Sequence, residues 1–248
     1  MAKVLLAGES WLGSALDIKG FDSVPRAQLE YGADHFIDVL RAAGHEVSYI
    51  PTHEAAVRFP ESREELDEFD VVILSDIGAN TLLLHPRVFS RGERRPNRLK
   101  LLAEWVRAGG GLMMAGGYMS FQGFGAKANY HRSPLEAVLP VTILPFDDRV
   151  ESPEGVHGQL SAVAHPITDG VDQSWPALLG YQELVARDDA TVLATIDEHP
   201  LLVARDVDAG RTVAFASDVS PHWAPDEFMQ WEGYSTLFNQ TVTWLAAK

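Results

Sequence analysis

The sequence predicts an α/β fold: a mostly parallel sheet with helices on both faces, and a β-rich insertion over about residues 141–207. Three observations carry this. Apolar runs such as Val4–Ala7 and Leu112–Ala115 are too brief for helices and suit strands buried on both faces. Through the first half such runs alternate with helix-spaced segments, the pattern of a parallel sheet. From Val141 onward the residues favour strands and include a hairpin signal at Asp208-Ala209-Gly210. No repeat, low-complexity tract or linker interrupts the 248 residues, so one domain over 1–248 is expected.

Taken in order, Val4–Ala7 is a first strand ending in Gly8-Glu9-Ser10-Trp11, and Gly20–Pro25 reads as a loop. Phe36, Val39 and Leu40 fall at i, i+3, i+4, the stripe of a buried helix, which Gly44 closes. Glu46–Ile50 is a second strand, and Ser62 caps a short acidic helix through Glu68. Asp70–Leu74 is a third strand, running into Ser75–Asn80. Thr81–Pro96, rich in Pro, Arg and Gly, reads as a loop. Arg98–Ala108 is a helix with Leu102, Trp105 and Val106 on one face. It delivers the chain to Leu112–Ala115, after which Gly116-Gly117 permits a sharp turn or close approach to a ligand. Ser133-Pro134-Leu135-Glu136 has the form of a helix start. Strands are expected at Val141–Leu144, Thr191–Ile196, Leu201–Val207 and Arg211–Ala216, and a last helix over about Gly233–Ala246.

Composition excludes several functions. A formal net charge of -15 argues against a nucleic-acid partner, which needs clustered Lys and Arg. The one basic cluster, Arg87, Arg91, Arg94, Arg95, Arg98 and Lys100, reads as a solvated or subunit-facing loop. No apolar run approaches the roughly 18 residues of a membrane helix, and the stretch after Lys3 is too short for a signal peptide. No membrane partner and a cytoplasmic location are therefore expected. There is no cysteine, hence no disulfide, thiolate metal site or thiol nucleophile. The nine histidines are scattered without helix-borne metal spacing, and neither a dinucleotide nor a phosphate-loop motif is present, so no metal and no cofactor are expected.

Four expected strands end in polar groups: Glu9, Ser10 and Trp11; Ser75, Asp76 and Asn80; Tyr118, Ser120 and Gln122; Ser217, Asp218, His222 and Trp223. Parallel neighbours bring their carboxyl ends to one rim, where open α/β sheets bind ligands. Glu9, Trp11, Asp76, Asn80, Tyr118, Ser120, Gln122 and Trp223 are thus candidate ligand contacts, and Asp218 with His222 a candidate acid/base pair. Asp76 and Asp218 also suit helix caps or turns, and Trp11, Trp223 and Trp231 also suit core packing.

Seven stretches carry a family resemblance: Gly8–Trp11, Lys19–Asp22, Ser75–Thr81, Gly116–Gly123, Pro145–Arg149, Ser217–Trp223 and Trp231–Tyr234. Together they resemble the class I glutamine-amidotransferase-like superfamily, in a branch near the ThuA-like (trehalose-utilisation) proteins and the trimerisation domain of some β-galactosidases. The resemblance implies a flavodoxin-like, doubly wound fold. True amidotransferases carry a Cys on the turn after the strand matching Leu112–Ala115, and a late His-x-Glu. Here those positions read Gly116-Gly117-Tyr118 and His222-Trp223-Ala224, so thiolate attack on glutamine is chemically impossible. Two functions stay open. One is binding of a small polar metabolite, carbohydrate-related by the resemblance, in the strand-end crevice of a homo-oligomer. The other is a sugar-related enzyme using Asp218 and His222 as acid and base.

Overall fold

In the computed structural model, which describes residues 1–247, the charge-free apolar runs become the centre of one large sheet. The first half contains β1 (Lys3–Gly8), β2 (Ser10–Lys19), β3 (Asp22–Tyr31), α1 (Asp34–Ala42), β4 (Glu46–Pro51), α2 (Thr52–Arg58), α3 (Arg63–Leu66) and β5 (Val71–Ser75). There follow α4 (Ala79–Leu83), α5 (Pro86–Arg91), α6 (Arg98–Arg107) and β6 (Gly111–Ala115). The second half holds β7 (Val141–Thr142), β8 (Arg149–Leu160), β9 (Ser174–Gln182), β10 (Val185–Ala186), β11 (Thr191–Ile196), β12 (His199–Val207), β13 (Gly210–Phe215), α7 (Asp226–Met229) and α8 (Glu232–Ala246).

Nine strands form the main sheet in the order β4-β1-β5-β6-β13-β12-β11-β8-β9. The first five are mutually parallel, with Val4 opposite Val71, Val71 opposite Gly111, and Gly111 opposite Arg211. The remaining strands are antiparallel, so the β-rich stretch widens the sheet through the β12–β13 hairpin. Every residue of β5 and β6 is buried, as strands covered on both faces require. The covering helices form two groups, α1 with α8 and α2 with α4 and α6.

Four expectations fail locally, each for a physical reason. Gly20–Pro25 is only the turn and first strand residues of a hairpin: β2 and β3 pair over ten residues each, outside the main sheet. Pro25 is tolerated because a two-stranded ribbon has free edges. Thr81–Pro96 is not all loop; α5 starts with Pro86 at its first turn under a His85 cap and stops at left-handed Gly92. Ser133 begins no helix, because the Glu136 carboxylate accepts the backbone N–H groups of Arg132 and Ile143, binding a loop about itself. Val141–Leu144 shrinks to β7, which pairs with β10.

The basic cluster is not wholly solvated either. Arg98 is buried, donating from Nη1 to the carbonyls of Ala55, Ala56 and Leu82 and from Nη2 to Glu61, which also pairs with Arg95 at 2.8 Å. Burial alone would raise the Glu61 pKa; the two guanidiniums outweigh it and hold the carboxylate low.

Candidate functional site

The parallel strands β1, β5, β6 and β13 finish at one edge of the sheet, and what they present there depends on how the backbone leaves each strand. After β1 it turns at Gly8, φ 126°, where a Cβ would lie 1.6 Å from the Ser75 carbonyl oxygen; only glycine fits. Glu9 and Asp76 then adopt left-handed φ of 49° and 44° directly after β1 and β5. Non-glycine residues held in this region store strain and gather at functional sites. The strain here turns each carboxyl inward.

The anchoring is specific. Glu9 accepts hydrogen bonds from the hydroxyls of Ser75 and Ser220, the latter at 2.5 Å, while its N–H donates to the Ser75 carbonyl at 3.1 Å. The Asp76 carboxylate accepts the Met119 N–H at 2.6 Å, and the Asp76 N–H donates to Ser120 Oγ at 3.1 Å. Asp218 accepts the Ser220 N–H at 3.0 Å, the turn that ends β13. Three carboxyls from three strand ends thus meet at one floor.

Above them is a cavity of about 690 Å³. Trp11, Tyr118, Met119, Phe124 and His222 wall it, with Lys127, Ser220 and Pro221 completing the lining. The wall is braced from behind. His222 stacks on Trp223 (centroids 5.3 Å apart) and meets Tyr118 edge-on at 4.2 Å. The Arg149 guanidinium lies over the rings of Tyr118 and Phe124 at 4.6 and 4.1 Å, while Trp223 Nε1 donates to Glu151 at 3.0 Å.

Burial and mutual repulsion set the protonation of the floor. Glu9 is pushed well above the usual carboxylate range, first by burial, then by the charges of Asp218 and Asp76; its serine bonds pull the other way. Asp218 is raised to about 8 by burial and then by Asp76. Asp76 is raised by burial against the opposing Met119 N–H and His222. The three cannot all be ionised at neutral pH, so the floor retains protons. His222 is lowered by burial, despite its acidic neighbours, and stands neutral at pH 7. Its Nδ1 lies 3.8 Å from Asp218, too far for a hydrogen bond, so the expected pair is a juxtaposition and not a bonded dyad. Among the described residues, no group of three or more His, Asp or Glu is arranged to hold a metal ion.

A family model described as "Putative glutamine amidotransferase" (GATase1_like) matches residues 3–247. The chain belongs to this family. Two solved structures of cytoplasmic proteins from Salmonella typhimurium are each 44% identical to this amidotransferase-like protein. One covers 99% of both chains with a TM-score of 0.95. The other, from strain LT2, covers 98% of this chain and 99% of its own with a TM-score of 0.94. A ThuA-like protein from Parabacteroides merdae shares the fold at 13% identity and a TM-score of 0.60, over 99% of this chain and 90% of its own. No curated protein matches. The amidotransferase-like chain holds no thiol: glycines occupy the turn after β6, and the carboxyls sit on the neighbouring turns.

Of the residues singled out in the sequence, Glu9, Trp11, Asp76, Tyr118, Asp218 and His222 line this cavity. Four do not. Ser120 is buried beneath it, tying Asp76 to the Gly116 carbonyl. Gln122 is buried and accepts the His131 N–H. Trp223 backs His222, and Asn80 is exposed on α4. Sequence reasoning passed over Met119, Phe124, Lys127, Ser220 and Pro221 as cavity residues. Ser220 had a signal, lying two residues beyond Asp218 on the same turn. Phe124 and Lys127 come from an irregular segment with no periodicity to mark it.

Proposed function

We propose that this amidotransferase-like protein binds a small, neutral, polyhydroxylated metabolite in the strand-end cavity, and is not a cysteine-dependent glutaminase. One observation carries the reading: three buried carboxyls, on which burial and mutual repulsion keep protons, lie on the floor of an aromatic-walled cavity. Partly protonated carboxyls both accept from and donate to hydroxyls, aromatic faces pack on the C–H faces of sugar-like rings, and residual negative charge disfavours anions. The protein works in the cytoplasm, in keeping with what its 44% identical relatives are called.

A thermal-shift screen tests this with neutral sugars and polyols against sugar acids and amino acids. A neutral polyol at about 100 times its Kd stabilises by about 2.7 kcal/mol and raises the melting temperature, and His222→Ala abolishes the shift. A panel in which nothing neutral shifts the transition, or only anions do, removes the proposal.

A second reading, an enzyme acting on such a metabolite, is favoured by Asp218 itself. A carboxyl with its pKa near 8 remains a proton donor at neutral pH, and neutral His222 beside it is a proton acceptor. Asp218→Asn distinguishes the two: binding without any turnover in the wild type leaves only the first, whereas turnover lost in the variant with binding retained establishes the second.

A further inference from the structure

The β2–β3 hairpin is a ribbon ten residues deep that pairs with no strand of the main sheet. It leaves the body at Glu9 and returns at Gly32, whose N–H donates to the Glu9 carbonyl. An isolated two-stranded ribbon is marginally stable in water, so an arm of this length calls for a surface to rest on.

Its two faces differ in kind. Residues directly opposite in the ladder share a face, and alternate residues point to opposite faces. Leu12 opposes Leu29, Leu16 opposes Pro25, and Ser14 opposes Ala27, putting these with Ile18 on one face that carries no charge. Asp17, Lys19, Asp22, Arg26 and Glu30 all fall on the other, where Arg26 pairs with Asp17 at 2.8 Å. All five charges of the arm are thus segregated, while Leu16 and Ile18 stand 58% and 71% exposed and Phe21 at the tip is fully exposed. A charge-free apolar stripe of this kind marks a protein–protein contact.

We propose that the uncharged face of this arm rests on a second copy of this chain, in a reciprocal exchange of arms. Area decides the arrangement. Ten residues per strand give a face about 33 Å long and about 10 Å wide, roughly 330 Å². Two arms lying only on each other bury about that much per copy, well short of the roughly 800 Å² per partner of a stable interface. In an exchange each copy buries its own arm face and the surface its partner's arm covers, about 660 Å², with the Phe21 tip added. The body offers a receiving surface in exposed Val57, Leu84 and Phe89, on α2, at the end of α4 and on α5. The α2 helix packs against both α4 and β2, so this patch adjoins the root of the arm, where a two-fold axis lets each arm reach the other copy's patch. The net charge of -15 sets the body against anionic lipid as an alternative resting place.

Light scattering after size exclusion tests the exchange on the full chain. The wild type runs at twice the 27.2 kDa monomer mass. Leu16→Glu with Ile18→Glu, and separately Phe89→Glu, each yield monomers with unchanged far-UV circular dichroism, whereas Gln28→Glu on the charged face stays dimeric. A monomeric wild type, including one that instead binds anionic vesicles, overturns the proposal. So does a dimer that survives the arm variant, and one that survives Phe89→Glu overturns the exchange. The cysteine-free background gives a check independent of variant folding: Ile18→Cys chains mixed with Phe89→Cys chains and treated with a flexible bis-maleimide form a covalent 18-to-89 dimer. Joining of Ile18→Cys chains to each other alone places arm on arm and overturns the exchange.

Discussion

The strand-end edge and the β2–β3 arm start from the same residue, Glu9, yet are built on opposite rules. At the edge the carboxyls are tightly held: Glu9 is fixed by two hydroxyls, its own N–H and the Gly8 turn. Beyond its root on α2, the arm is held by its own ladder and an ion pair, with nearly every side chain open to solvent. The lesson is that strain accumulates where packing can sustain it, and apolar exposure where a further surface is needed. If so, equivalent chemical changes in the two regions have very unequal effects.

Glycine substitution gives the largest contrast. Gly8→Ala puts a methyl group 1.6 Å from the Ser75 oxygen at φ 126°, and the edge has no slack to absorb it. The expected result is loss of more than about 4 kcal/mol, seen as insoluble or unfolded protein. A soluble Gly8→Ala variant with a near-native urea midpoint breaks the claim that the edge is rigid.

The proton load of the floor comes next. Asp218 has a folded pKa of about 8 against an unfolded value near 3.8, and Glu9 is raised in the same direction. Below pH ~4 folded and unfolded chains are both protonated at these sites and nothing is lost. Between there and pH ~8 the unfolded chain ionises while the folded one retains its protons, so stability falls as pH rises, by up to about 1.4 kcal/mol per pH unit for each group. Urea unfolding across this window therefore shows a downward slope that Asp218→Asn flattens, with the variant more stable than wild type at pH 8. Parallel slopes in the two proteins remove Asp218 from the proton-sharing set.

Away from both regions, Arg98→Met tests whether the body depends on buried charge as the edge does. It leaves Glu61 to Arg95 alone and takes a donor from three carbonyls, of which Ala55 keeps the Phe59 N–H, costing about 2–4 kcal/mol. A loss below ~1 kcal/mol by urea denaturation shows that Arg95 alone satisfies Glu61.

The same contrast explains how much was legible in the sequence. β1, β5 and β6 were, because a strand covered on both faces must be an unbroken apolar run, and their parallel order follows from the helices between them. The meeting of Glu9, Asp76, Tyr118 and Asp218 followed from that order. What escaped were features decided by tertiary contact. The arm's strands carry Gly13, Pro25 and exposed leucines, which mask their charged/uncharged alternation and give them the composition of a loop. β8 holds Pro153, Gly155 and Gly158 and slips register twice against β9, so its pattern never settles to a period of two. His222 and Trp223 are adjacent, and only packing decides that the imidazole faces the cavity while the indole backs it.

The smallest effect sharpens the comparison most. Gly20, at the arm's turn, has φ 64° and open space where a Cβ would be. Gly20→Ala therefore meets no clash and costs only the left-handed penalty of an L-residue, about 1–2 kcal/mol at most. That penalty falls on a ribbon that pairs with no strand of the sheet. Fraying of the tip relieves it without opening the core, since locally weak segments open separately from the global unit. The global melting temperature should stay within a degree or two, while hydrogen exchange accelerates over residues 14–27 alone. A drop in the global transition comparable to that of Arg98→Met requires the arm to fold with the sheet as one cooperative unit, and the division between a rigid edge and a locally independent arm is then gone.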